Sequence, residues 1–314
     1  MSTLKFAFVF PGQGSQTVGM LADMASQFNS IEETFSQASD ALGYDLWALA
    51  QNGPQEKLNL TEITQPLLLT SSVAIWRVWC DEGGPQPALM AGHSLGEYSA
   101  LVCANVIDFD KAVNLVQQRG RFMQKAVPVG EGAMSAVLGL ADEEIVKVCG
   151  EMTASGNVVE AVNFNSPGQV VIAGHSDAVS RAGDILKQAG ARRVAPLPVS
   201  APFHTSLMKP AGDELAEIMA DIDFKSPGIP IVHNVNASIE NSGDAIRELM
   251  IEQTSAPVRW TDCIGYMVDQ GVEQTIECGP GKVLSGMSRK IHKPLQVANL
   301  EKPDALQAAL SAFK

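Results

Sequence analysis

A single serine between two glycines constrains this chain more than any other feature. In PALMAGHSLGEYSALVCA, a short apolar run ends at Gly92-His93-Ser94-Leu95-Gly96, and residues at helical spacing follow. A strand that turns sharply into a helix strains the residue at the turn and exposes its side chain. Side chains two positions to either side would collide there, so G-x-S-x-G is the pattern such an elbow needs. A plain tight turn that happens to hold a serine is the competing reading. With 27 glycines in 314 residues, and serine also common, a match somewhere has roughly a one-in-six chance. The strand before and the helix after are the context that separates an elbow from a stray match.

A strand-elbow-helix unit belongs in an α/β protein, and the rest of the chain reads that way. LKFAFVF is a buried-strand pattern, and GMLADMASQFNSIEETFSQASDAL carries apolar residues at helical spacing. TQPLLLTSSVAIWRVWCDEGG is a mostly buried helix ended by Gly83-Gly84. DFDKAVNLVQQRGRFMQKAV is a long amphipathic helix with Asp108 as its N-cap. The middle differs. GAMSAVLGL, NVVEAVNFN, QVVIAG and RRVAPLPVS read as strands, with helices ADEEIVKVCGEMT and SDAVSRAGDILKQAGA between them and a turn at Ser166-Pro167-Gly168. That order, βαββαβ, is the ferredoxin-like unit. The expected organisation is a large α/β subdomain over 1–127 and 201–314, with a small subdomain inserted at 128–200. Helical AGDELAEIMADI, strand IPIVHNV and the segment QTIECGPGKVLSGMSRKI complete the larger part.

Composition excludes some function classes. A formal charge of −13 argues against nucleic acid or an anionic membrane surface as the main partner. Apolar runs fall short of the roughly 20 residues a membrane span needs. MSTLKFAFVFPGQG, whose apolar run ends in Pro-Gly, reads as a first core strand rather than a secretory signal. Five scattered cysteines without C-x-x-C or Cys/His spacing fit a reduced, cytoplasmic setting and no zinc site.

A nucleophilic serine needs a base, and five histidines are available. His93 adjoins Ser94, and neighbours on an elbow point apart. His175 falls at a strand-to-helix junction, where a capping or surface role is expected. His233 reads as a sheet residue, and His292 lies in a lysine-rich exposed stretch. His204, in VSAPFHTSLM at the re-entry into the larger part, is the candidate best placed to face a cleft. The GQGSQ loop after the first strand fails the dinucleotide pattern, because Thr17 stands where a third glycine belongs. It is either a flexible turn or a loop that aims a backbone N–H into the same crevice.

Arg119 is the most informative charge. On a helical wheel it falls in the apolar arc of Ala112, Leu115, Val116, Phe122, Met123 and Ala126, opposite Gln117, Gln118, Arg121, Gln124 and Lys125. An inward arginine needs an anion, because an unpaired buried charge is costly. That anion is either an internal Asp or Glu or the carboxylate of a substrate.

GQGSQ, GHSLGEYSAL, RGRFMQ, NFNSPGQVVIAG, SAPFH and ECGPGKVL stand in that order. Over essentially the whole chain they resemble the malonyl-CoA:acyl carrier protein transacylases of bacterial type II fatty acid synthesis. The pattern is also similar to the acyltransferase domains of polyketide synthases. The resemblance implies a hydrolase-like α/β core with a largely parallel sheet plus the inserted ferredoxin-like subdomain. It implies Ser94 as nucleophile and His204 as base, oriented by the backbone carbonyl of Gln253. Beside Gln253, Ser255-Ala256 replace the Tyr-Asn pair that relatives often carry. It implies an oxyanion hole from the N–H groups of Gln13 and Leu95, and Arg119 as the clamp on the malonyl carboxylate. Met123, Phe203, His93 and Asn163 would then surround the acyl group. Leu95 and Phe203 look like malonyl-selecting forms, Phe203 crowding an α-methyl branch by about 1–3 kcal/mol. The implied reaction is ping-pong acyl transfer between malonyl-CoA and acyl carrier protein by a cytoplasmic monomer, without metal or cofactor. Carrier proteins of this kind are acidic, so a docking surface must be locally basic. Lys187, Arg192, Arg193, Lys282, Arg289 and Lys290 are the candidates.

Overall fold

Phe6–Phe10 is five apolar residues in a row, all buried, the signature of a strand covered on both faces. The computed structural model, which describes residues 4–199 and 201–313, places this strand (β1) at the middle of a sheet. In chain order the other strands are β2 (Leu89–Gly92), β3 (Gly132–Leu138), β4 (Val159–Ser166), β5 (Gln169–His175), β6 (Arg193–Pro196), β7 (Ile231–Val232), β8 (Gln274–Glu277) and β9 (Gln296–Asn299). They form two sheets, ordered β7-β2-β1-β8-β9 and β4-β5-β3-β6. Every pairing in the first is parallel, and every pairing in the second is antiparallel. The second order, with its βαββαβ sequence of elements, is the ferredoxin-like arrangement. Ser200, where the expected inserted segment ends, lies outside the described residues.

The period-two alternation of β1 feeds two cores. Phe6, Phe8 and Phe10 pack with the helix Thr61–Asp81 on one face. Ala7 and Val9 pack with Val232, Trp260 and Cys263 on the other. The second sheet is tied to the segment before the helix Trp260–Asp269 along β4, where the Phe164 N–H donates to the Val258 carbonyl at 3.0 Å and the Val258 N–H to the Val162 carbonyl at 2.8 Å. No helix among the described residues is long and apolar enough to cross a membrane. All five cysteines are free, and four are buried.

Several local expectations need correction. The pattern after β1 is two helices, Ala22–Ala25 and Ser30–Leu42, with a break between them. The helix holding Pro66 begins at Thr61, three residues ahead of the TQP pattern, and keeps the proline inside. Asp108 takes the N-cap position of Phe109–Lys125 without capping it, because its carboxylate pairs instead with Lys225 Nζ at 2.9 Å. Gln117, assigned to the polar face of that helix, is buried. Of IPIVHNV only Ile231–Val232 pairs as a strand. His175 caps nothing with its side chain; its Nδ1 accepts from the Val158 N–H at 3.2 Å.

Candidate active site

The elbow forms where β2 gives way to the helix Leu95–Cys103. Ser94 sits between them at φ 52°, ψ −109°, a conformation that costs a non-glycine residue on the order of 1–3 kcal/mol. A Cβ on Gly92 would land on the backbone of Gly96, and one on Gly96 would land on the Phe10 carbonyl. Asn234, just past β7, holds the turn from behind. Its Oδ1 accepts the Ser94 N–H at 2.8 Å, and its Nδ2 donates to the Gly92 carbonyl at 2.7 Å.

His204 reaches the serine from a loop in which it too has positive φ, 64°. Its Nε2 lies 2.7 Å from Ser94 Oγ, and its Nδ1 lies 2.9 Å from the backbone carbonyl of Gln253. A carbonyl can only accept, so Nδ1 carries the proton and Nε2 presents a lone pair to the serine hydroxyl. Burial, and after it the positive charge of Arg119, lower the pKa of this imidazole from 6.5 to about 3. Among the histidines, His233 is fully buried with Nδ1 2.7 Å from Glu97 Oε1. His93 Nε2 lies 2.8 Å from Asn165 Oδ1. Neither contacts the serine hydroxyl.

Arg119 is 1% exposed. Its Nη1 donates to Gln65 Oε1 at 2.9 Å, and its Nη2 to Gln253 Oε1 at 3.0 Å and Ser94 Oγ at 3.2 Å. The guanidinium stands 5.3 Å from the Tyr98 ring centroid. Among the described residues no Asp or Glu pairs directly with it, so an ion pair with an internal carboxylate, one of the two readings of its inward position, does not form. Neutral acceptors hold the fork beside the serine.

A cavity of about 290 Å³ opens over these groups. Gln13, His93, Ser94, Arg119, Met123, Asn163, Phe203 and His204 all line it. The antiparallel sheet adds Met134 and Val171, and the helix Val283–Ile291 adds Val283, Leu284 and Met287. Leu95 is placed differently. Its side chain packs in the core beneath the elbow, so only its backbone is near the cleft. As the first helical residue its N–H has no intrahelical acceptor. Of the docking candidates, Lys282, Arg289 and Lys290 are exposed on or beside that same cavity-lining helix. Lys187, Arg192 and Arg193 are exposed on the inserted unit, where Lys187 pairs with Asp184 at 3.0 Å.

The chain matches the acyl transferase domain family over residues 7–305. It belongs to that family. It is 60% identical to the malonyl CoA-acyl carrier protein transacylase of Escherichia coli (strain K12), covering 98% of this chain and 99% of the relative. The Bacillus subtilis (strain 168) protein of that name is 42% identical over 99% of this chain and 98% of its own. Among solved structures, an acyl carrier protein S-malonyltransferase from Vibrio cholerae is similar with a TM-score of 0.95 and 57% identity, over 97% of this chain and 99% of that one. Another, a malonyl-transacylase in complex with a type II PKS acyl-carrier protein, reaches a TM-score of 0.96 at 56% identity, over 98% and 99%. The acyl transferase fold thus brings together Ser94, His204, Arg119 and Gln253 from four separate parts of the chain.

Sequence reasoning missed Gln65, Glu97, Tyr98, Asn165 and Asn234. A signal existed for two of them. Gln65 is the one buried amide of a helix whose other buried residues are apolar or hydroxyl-bearing, and Glu97 is the one charged residue of a largely buried helix; groups of that kind need a buried partner.

Proposed function

We propose that this protein transfers the malonyl group of malonyl-CoA to the phosphopantetheine thiol of acyl carrier protein through a malonyl-Ser94 ester. One observation carries the reading: a buried guanidinium with only neutral partners lies 3.2 Å from the serine hydroxyl. An ester on Ser94 that ended in a carboxylate would bring an anion into direct contact with the Arg119 fork. A neutral acyl group would leave that fork with neutral acceptors alone.

The steps follow from the geometry. Ser94 Oγ–H donates its proton to His204 Nε2 as Oγ attacks the thioester carbonyl. The N–H groups of Leu95 and Gln13 hold the developing oxyanion, each worth about 3 kcal/mol by the magnitude typical of such donors. The tetrahedral species collapses, the C–S bond breaks, and the imidazolium returns its proton to the coenzyme A thiolate. In the second half-reaction the carrier thiol gives its proton to His204 and attacks the ester. Ser94 Oγ then leaves and takes that proton back. Gln253 fixes the tautomer throughout.

The cleft's lining also supports a filter on acyl shape, with Phe203 and Met123 at its wall. We place the reaction in the cytoplasm, a setting that the free, mostly buried cysteines suit. A monomer is sufficient, since every group named comes from one chain. The test is a two-stage assay. Protein is loaded with malonyl-CoA, freed of coenzyme A and mixed with holo carrier protein. Malonyl carrier is the expected product, whereas free malonate at the same rate with or without carrier would mark a hydrolase and refute the reading.

A further inference from the structure

Beneath the elbow lies a second buried charge. Glu97 is 1% exposed, and three nitrogens surround its carboxylate. Gln253 Nε2 lies 2.8 Å from Oε2, the Asn234 backbone N–H 3.3 Å from Oε2, and His233 Nδ1 2.7 Å from Oε1. The first two can only donate. His233 Nε2 is buried without a partner, so a proton there would be orphaned at considerable cost. The ring therefore carries its one proton on Nδ1, and Glu97 remains a carboxylate.

The Gln253 side chain faces both ways. Its Nε2 donates to Glu97, while its Oε1 accepts from Arg119 Nη2 at 3.0 Å. One amide thus joins the cation beside the nucleophile to the anion behind it. Burial lowers the Arg119 pKa, while Tyr98 and then Glu97 act to raise it.

We propose that Glu97 is the counter-charge of Arg119, held one amide away, and that it sets how strongly the site prefers an anionic acyl group to a neutral one. The proposal rests on the reading that Arg119 receives the malonyl carboxylate. In the empty site the two charges cancel. A malonyl group leaves one net negative charge, and a neutral acyl group leaves none. Glu97 therefore weakens the hold on malonyl, which keeps the loaded ester dischargeable by the carrier thiol. It also acts as a positioning residue, because the Gln253 side chain it holds belongs to the residue whose carbonyl orients His204.

Glu97→Gln removes the charge and keeps the shape. Wild type is the control. If it does not load malonyl in preference to acetyl, the Arg119 reading fails whatever Glu97 does. Given that preference, the malonyl-to-acetyl ratio of kcat/KM should rise in Glu97→Gln, on the order of tenfold. The malonyl-CoA KM should fall, and discharge to carrier should slow. Glu97→Asp retains the charge and should keep the wild-type ratio even where both rates drop. An unchanged or lower ratio in Glu97→Gln, or an equal rise in Glu97→Asp, overturns the proposal. Should Glu97→Gln not fold, the double variant with Arg119→Met decides. Removing both charges should give a higher Tm than either single change, and a double variant no more stable than Glu97→Gln contradicts the pairing.

Discussion

The Nδ1 atom of His204 lies 2.9 Å from the backbone carbonyl oxygen of Gln253. That contact does the work an acidic third residue does in many serine enzymes, setting the tautomer without adding a buried negative charge. The replacement of the neighbouring pair by Ser255-Ala256 leaves it intact, because the acceptor belongs to the main chain of Gln253.

A consequence is the pH dependence. With a pKa lowered from 6.5 to about 3 by burial and then by Arg119, His204 stays neutral well below the usual histidine range. The kcat/KM for loading from malonyl-CoA should be flat through pH 6.5 and fall only toward about 3. Stability follows the same pair of values. The unfolded chain binds a proton on this histidine near 6.5 and the folded chain not until about 3, so the unfolded state holds more protons between them. Stability should therefore decline as pH falls through that window. An acid limb in the loading profile centred near 6.5 would show that the base is not this buried imidazole.

Arg119→Ala should separate substrates. Loss of the charge-assisted contacts to a carboxylate should lower malonyl loading by roughly a hundredfold or more. Acetyl loading, which uses no carboxylate, should change far less. Parallel rates with the two coenzyme A esters check this, and equal losses would remove the clamp.

Phe203, 8% exposed and on the cavity wall beside the base, should set tolerance for a branch. Phe203→Ala should raise the methylmalonyl-to-malonyl ratio by up to about a hundredfold, the scale expected of one methyl in a pocket. Competition between the two esters reads the ratio directly.

Arg289 and Lys290 close the helix Val283–Ile291, whose opening residues line the cavity. Reversing both to Glu should slow transfer to the acidic carrier and make it less dependent on salt, while loading from malonyl-CoA is spared. An equal loss in both half-reactions would place the carrier elsewhere.

Much of this was legible in the sequence, for identifiable reasons. The elbow is a local feature, fixed by a strand, two glycines and a helix within a few residues. Arg119 declared itself because helical periodicity is local too. The residues that hold these groups were hidden because their partners are distant. Glu97 and His233 are 136 positions apart, and Ser94 and Asn234 are 140 apart. Asp108 misled for the same reason, its carboxylate being taken by Lys225 from 117 positions away. The ferredoxin-like order could be read from alternating patterns, whereas the packing of Met134 and Val171 into the cleft depends on how two sheets meet.

Intact-mass measurement of the protein mixed with malonyl-CoA tests the central claim most directly. Wild type should gain one malonyl group, mapped by peptide analysis to Ser94 and removed by the carrier thiol, and Ser94→Ala should gain none. No adduct on wild type, or an undiminished adduct on Ser94→Ala, would contradict the account.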